Sequence, residues 1–290
     1  MIGKTRLAPT PSGYLHQGNL FSFALTWLMA RKDGLEILLR IDDMDRNRYR
    51  RSYLEDIFLS LEALGIDYDE GPQAVDDFEK NWSQLKRMDL YHEALNEIRL
   101  KGDLFACSCS RKEILRLNPD GLYPGTCRSK GLSLDEDSHA WRWQHCNLEL
   151  SLKNWMGEKD TFPYPLEMQH LVLRTKSAKP AYQICSLIDD LHFKVSHIVR
   201  GQDLWHSSLV QIALAQKYQW SNFPMVNFHH HPLLLNGEKQ KISKSQAAPA
   251  AEVYRNEAAR MSLLNELAQH LNLPLGAQNL SELLNLYRVA

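Results

Sequence analysis

The chain lacks most features that would set it apart from ordinary globular proteins, and each absence excludes something. No apolar run approaches the roughly 20 residues that span a bilayer, and the start, Met1-Ile2-Gly3-Lys4-Thr5-Arg6, lacks the apolar core of a signal peptide. The expectation is a cytoplasmic protein with no membrane partner. There is no internal repeat and no low-complexity segment, which excludes solenoids and long disordered tails. An excess of one charge is also missing: the formal net charge is -1. A global basic field for nucleic acid is therefore absent, and any such contact must come from local patches. Cysteine is scarce. There are five, three of them close together, which suits a reducing cytosol and a metal better than a disulfide framework. What remains is ordinary, 44% hydrophobic and 24% charged over 290 residues, enough for one large domain or two modest ones.

Hydrophobic patterning gives the organisation. A short strand at 5–8 runs into a Pro/Ser/Gly turn (Pro9, Thr10, Pro11, Ser12, Gly13) and an apolar helix at 20–32 that Gly34 ends. Residues 36–41 form a second strand whose unbroken Ile37, Leu38 and Leu39 suit a buried parallel position. After the charged loop Asp42-Asp43-Met44-Asp45-Arg46, a helix at 54–64 carries Leu54, Ile57, Phe58, Leu61 and Leu64 on one face and stops at Gly65. A helix at 83–100 is expected to bury Leu85, Met88, Tyr91, Leu95 and Ile98. Strand–turn–helix–strand opens an α/β, doubly wound Rossmann-type domain, which binds ligands at the carboxyl ends of its strands. Four parts are expected. Residues 1–103 are the first half of the Rossmann domain, and 104–180 are an insertion rich in Cys, Trp, Pro and Gly. Residues 181–225 are the second half, with a helix at 207–218. Residues 226–290 hold a lysine loop and a short helical tail at 251–271 and 280–288.

Three constellations carry chemistry. His16-Gln17-Gly18-Asn19 sits where a turn enters a helix. Free N–H groups and the positive helix end favour a phosphate there, Gly13 and Gly18 allow close approach, and His16 and Asn19 add side-chain donors. Lys241-Ile242-Ser243-Lys244-Ser245 puts two cations on a polar loop, able to stabilise charge as pyrophosphate leaves. The bland alternative is a solvated surface loop. Cys107-x-Cys109 with Cys127, and Tyr123 four residues before the last, suit a structural zinc site with a fourth ligand from Tyr123 or water. The alternative is buried free cysteines. Cys146 and Cys185 read as core. The run His229-His230-His231 suits packing or a cleft wall better than a metal site, because adjacent rings point apart. The Asp42/Asp43/Asp45 and Asp189/Asp190 groups fit a cation, an ammonium, ribose hydroxyls or a solvated loop equally well.

With these residues in place, the chain resembles class I aminoacyl-tRNA synthetases of the glutamyl type. It is closest to their truncated relatives, the glutamyl-queuosine tRNA(Asp) synthetases. The resemblance runs through Arg6 to Asn19, Leu39-Arg40-Ile41-Asp42-Asp43-Met44-Asp45, the Cys/Tyr set, Tyr182-Gln183 through Asp189-Asp190 with Val199-Arg200-Gly201-Gln202-Asp203-Leu204, and His229 to Ser245. It implies a ligase-type enzyme that activates L-glutamate with Mg2+-ATP. His16, Gly18, Asn19, Lys241 and Lys244 would bind ATP, with His16, Asn19 and Lys244 catalytic. Arg6, Ala8, Thr10, Asp42, Tyr182 and Arg200 would hold glutamate, with Asp42 at its α-ammonium. Cys107, Cys109, Tyr123 and Cys127 would hold one structural Zn2+. Only about 45 residues follow Ser245, too few for an anticodon-binding domain of usual size. The implied acceptor is therefore queuosine itself, in the anticodon stem-loop of tRNA(Asp), and the chain is expected to act as a monomer.

Four positions depart from the family pattern. Asp42 replaces the usual glutamate, which draws the carboxylate back by roughly 1.5 Å. Thr10 replaces serine, Gln17 is an unusual second residue of the first signature, and Gln202 replaces an acid. Two rival functions remain: a tRNA-independent glutamate activator with a small-molecule or carrier acceptor, and a non-catalytic RNA-binding module. Arg255 and Arg260 in the tail are candidate RNA contacts.

Overall fold

The computed structural model describes residues 2–144, 149–220, 223–233 and 249–290, without the side chains of Glu252 and Arg255. Cys146 and the loop bearing Lys241 and Lys244 lie outside the described residues. In chain order the elements begin with β1 (Lys4–Leu7), α1 (Gln17–Asp33), β2 (Glu36–Leu39), α2 (Arg51–Leu64), the single turn α3 (Val75–Asp77) and α4 (Met88–Leu100). Next come β3 (Leu104–Cys107), α5 (Arg111–Leu117), β4 (Ala140–Trp143), β5 (Glu149–Asn154), β6 (Lys159–Pro163) and β7 (Val172–Arg174). The chain continues with α6 (Tyr182–His192), β8 (His197–Gly201), α7 (Trp205–Lys217), β9 (Asn227–His231), α8 (Ala250–Arg255), α9 (Glu257–His270) and α10 (Leu280–Val289). None of the described helices is long and apolar enough to cross a membrane.

The chain divides into two compact units. One comprises Met1–Lys86, Val195–Leu204 and Val226–Ala290, the other Arg87–Lys194 and Trp205–Met225. The first division thus falls at 86/87 and not at 103/104. The reason is a buried ion pair inside the second unit. Arg87 Nε and Nη2 donate to the two oxygens of Asp189 at 2.7 and 3.0 Å, and Tyr91 Oη donates to the same carboxylate at 2.7 Å. Asp189 is fully buried, so removing one partner strands a charge and costs about 3–5 kcal/mol. This fixes α4 against α6 and makes Asp189 a structural anchor.

In the first unit β1 and β2 are parallel, with Lys4 opposite Glu36 and Leu7 opposite Leu39, and α1 makes the crossover that parallel strands require. β8 and β9 are also parallel, with His197 opposite Asn227. Ser196 N–H donates to Lys4 O at 2.8 Å, which sets β8 beside β1. Helix α1 is apolar nearly all round, so it is buried nearly all round: Leu20, Phe23, Leu25, Trp27 and Leu28 are each less than a tenth exposed. It stops at Gly34, and α2 at Gly65, both with positive φ.

Two helix expectations are corrected. The stretch 83–100 is not one helix: a π turn (Phe78–Trp82) and a 3-10 turn (Gln84–Arg87) precede α4. Asp43 takes the Ser83 hydroxyl at 2.6 Å and the Gln84 N–H at 2.8 Å, so the backbone there is committed elsewhere. Leu85 consequently falls out of the helical period and is exposed, and Met88 is half-buried. The tail helix at 251–271 is broken at Asn256, whose side chain accepts from Ala258 N at 2.9 Å and caps α9. In the second unit β3, β4 and β7 form an antiparallel sheet, β5 and β6 a hairpin, and Cys185 is buried.

Candidate active site and thiol cluster

The thiol cluster is built at the end of β3. That strand delivers Cys107, and the Ser110–Glu113 capping box then starts α5, which holds Cys109 close by. The sulfurs of Cys107, Cys109 and Cys127 lie within 4.8 Å of one another, with Cys109 and Cys127 3.5 Å apart. Tyr123 Oη accepts the Cys127 N–H at 2.7 Å, which brings the phenol oxygen to the sulfurs. The Tyr123 ring is fixed by Arg142 3.8 Å above its centroid, by Phe105 stacked at 6.3 Å and by the edge of His170. Gly125 has φ +83, and a Cβ there would meet His170 Nε2 at 2.9 Å. Burial pushes the Cys109 thiol up to about 11, with hydrogen bonding to Cys127 adding to it. Burial also raises Cys127, but donors from Tyr123, Ser108 and Cys109 outweigh it and bring the thiol down to about 6. One sulfur is thus poised as a thiolate. Three sulfurs within 4.8 Å of one another, with a phenol oxygen beside them, fit a zinc-type cation.

In the first unit the N-terminus of α1 carries the first signature. His16 is the N-cap residue in extended backbone (φ -121, ψ 168), and no acid occupies the first turn. The positive helix end is therefore not neutralised by its own side chains. His16 N donates to Asn19 Oδ1 at 3.2 Å, which leaves the Asn19 amide nitrogen as the donor end of that side chain. A Cβ at Gly18 would meet the His16 ring at 3.2 Å, so glycine leaves the imidazole room over the first turn.

The strands beside it carry the residues expected at an amino-acid substrate. Arg6 on β1 and Arg200 on β8 are both buried, and Arg6 Nη1 donates to Val199 O at 3.3 Å. Ala8 and Thr10 are half-buried in the turn after β1. Backbone pairing continues past β2, with Arg40 N on Leu7 O and Asp42 N on Pro9 O, both at 2.9 Å, so Asp42 stands beside that turn. The Asp42 carboxylate is gripped by Arg40 through Nε at 2.8 Å and Nη2 at 2.9 Å. Asp43 pairs with Arg46 and Asp45 with Arg48. The three acids are thus individually paired with arginines, and the described acidic groups form no cation cluster. Tyr182 opens α6 in the other unit and is exposed. Gln202 is exposed.

The histidine run packs, as its adjacency suggested. His231 is buried with its ring edge on Phe21, His230 stacks on Phe228, and His229 Nε2 lies 3.3 Å from His270 Nε2. Burial holds His229 down at about 4 and His230 at about 3, with nearby cationic and imidazole groups adding to it. These rings are neutral at pH 7.

Sequence patterning missed the residues that support the first signature. Asp56, buried in α2, accepts the Leu15 N–H at 3.2 Å and the Ala251 N–H at 3.0 Å. Gln17 Nε2 donates to Glu266 Oε1 at 2.7 Å.

Comparison with known proteins follows the same lines. Residues 3–286 match the family described as tRNA synthetases class I (E and Q), catalytic domain. The chain is 34% identical over 84% of its length to a glutamyl-Q tRNA(Asp) synthetase of Symbiobacterium thermophilum, covering 78% of that protein. It is 35% identical over 92% of its length to one of Synechococcus sp. (strain CC9605), covering 83%. Against a glutamate--tRNA ligase of Oleidesulfovibrio alaskensis it is 31% identical and spans 53% of that protein. In fold it is similar to the glutamate-tRNA synthetase of Elizabethkingia anophelis, with TM-score 0.68 at 24% identity over 84% of this chain and 53% of that one. The chain belongs to the class I glutamyl and glutaminyl tRNA synthetase catalytic-domain family, and is an ATP-dependent ligase-type enzyme of that family.

Proposed function

We propose that the chain activates glutamate with ATP as glutamyl-adenylate and transfers it to queuosine at the first anticodon position of tRNA(Asp). The observation that carries the first half is the start of α1, whose own first turn holds no acid, with the His16 ring beside Gly18. A triphosphate placed there meets backbone N–H groups, the helix end and two side-chain donors. The acceptor rests on the relatives named glutamyl-Q tRNA(Asp) synthetase.

In this reading Arg6 and Arg200 supply guanidinium forks for the carboxylates of glutamate. Ala8 and Thr10 line the same substrate, and Tyr182 is assigned to it by resemblance. The Asp42 carboxylate, held by Arg40 through both oxygens, is assigned to the α-ammonium by resemblance. The α-carboxylate oxygen of glutamate attacks the α-phosphorus, the bond to the bridging oxygen breaks and pyrophosphate departs. His16 and Asn19 hold the phosphates in line, and Lys241 and Lys244 take the charge on the leaving pyrophosphate. Mg2+ accompanying ATP screens the phosphate oxygens. A queuosine hydroxyl then attacks the activated carbonyl, losing its proton as AMP leaves. The work is positioning and charge stabilisation, with no protein nucleophile. Cys107, Cys109, Tyr123 and Cys127 hold a structural zinc ion.

The test is transfer of labelled glutamate to matched tRNA(Asp) with and without queuosine. Label on the queuosine-containing sample alone is expected. Label on neither, with pyrophosphate exchange intact, overturns the acceptor and points to a small molecule or carrier.

A further inference from the structure

The two residues flanking His16 are both tied to the helical tail. On one side Leu15 N–H and Ala251 N–H, at the start of α8, share the carboxylate of Asp56. On the other Gln17 donates directly to Glu266 of α9 at 2.7 Å. Glu266 and His270 are four apart on α9, hence on one face. Gln17 and Phe21 stand in the same relation on α1. The two faces meet: Phe21 contacts the His270 ring edge-on at 5.6 Å and the His231 ring at 5.2 Å.

His270 closes the junction onto β9 through His229. Two nitrogens 3.3 Å apart suit either two ligands of one cation or a single N–H···N bond. The ring centroids are 5.6 Å apart, longer than the nitrogen separation by about two ring radii. The rings therefore meet head-on, which is hydrogen-bond geometry, not two lone pairs converging on a third point. Among the described residues no third ligand joins them.

We propose that the tail is a working part of the nucleotide site: Asp56, Glu266 and Gln17 are positioning residues that fix the start of α1 so that His16 faces the triphosphate. This rests on the reading of the first signature as the ATP site. It also accounts for glutamine at 17, whose amide reaches an acid on α9 that a smaller side chain would not. The tail then acts through protein contacts, apart from any role of its arginines on RNA.

The experiment is glutamate-dependent ATP–pyrophosphate exchange, with ATP affinity measured separately by equilibrium dialysis. Gln17→Leu and Glu266→Leu are each expected to raise the ATP KM by about tenfold, the scale of one hydrogen bond to a charged group, with the glutamate KM unchanged. The double variant is expected to match either single one. Glu266→Gln keeps an acceptor for Gln17 and is expected to restore near-normal ATP KM, which a change in stability alone would not do. Asp56→Asn serves as the independent arm should the leucine variants fail to fold. Unchanged ATP KM in folded Gln17→Leu and Asp56→Asn overturns the inference alone. Absence of ATP binding in the unaltered chain overturns the reading beneath it as well.

Discussion

The thiol cluster and the start of α1 are both small polar sites, yet they are assembled in opposite ways. The cluster draws its ligand atoms from 21 residues of chain, Cys107 to Cys127, and local strand–turn–helix geometry brings them together. The signature presents its own groups within four residues, but its supports come from Asp56, Ala251 and Glu266, far along the chain. A metal can organise the first from flexible pieces, because binding free energy is folding free energy there. In the proposed reading a triphosphate arrives and leaves with each turnover, so the second has to be held by the protein alone.

The largest effect should come from removing the donor itself. His16→Ala is expected to lower glutamate-dependent exchange by about 10²–10³-fold, with the melting temperature little changed. Exchange within a factor of a few of the unaltered chain would break the comparison at its root. Cys127→Ser should do the reverse, losing bound zinc by atomic absorption and lowering Tm by about 5 °C or more, while ATP affinity holds. Zinc retained at one per chain would contradict the assigned ligand set.

The difference also explains what could be read in advance. Apolar runs, the one-sided stripe of α2 and the glycine stops of α1 and α2 were enough for β1, α1, β2 and α2, since each signal lies within or beside its own element. The Cys107/Cys109/Tyr123/Cys127 spacing was legible for the same reason. Leu85 was misplaced because the competing hydrogen bonds come from Asp43, some 40 residues away. The unit boundary at 86/87 depends on Arg87 finding Asp189, about a hundred residues on. Asp56, Glu266 and the His229–His270 pair left no local pattern, because long-range polar partners obey no period. The sites assigned to Lys241 and Lys244 lie outside the described residues and rest on the motif.

Smaller effects sharpen the picture. Asp42→Glu is expected to lower the glutamate KM by up to about tenfold by returning the carboxylate to the reach usual in the family. An unchanged KM would show that the Arg40 grip already sets the correct position. The histidine run gives a pH signature. His229 and His230 have folded values depressed to about 4 and about 3, below the ordinary value near 6.5. The unfolded chain binds protons first, so their contribution is complete above about pH 6.5 and declines as pH falls toward 4. Tm should drop between pH 7 and 5, and His230→Phe should flatten the slope. An identical slope in that variant would remove His230 from the account.

The central claim is that the start of α1 serves ATP in a glutamate-activating reaction. The most direct measurement is ATP–pyrophosphate exchange by the purified chain with L-glutamate, L-glutamine and L-aspartate in turn, with and without queuosine-containing tRNA(Asp). The account predicts exchange with glutamate that the other two do not support. Exchange with none of them under either condition, or equal exchange with glutamine, would contradict it.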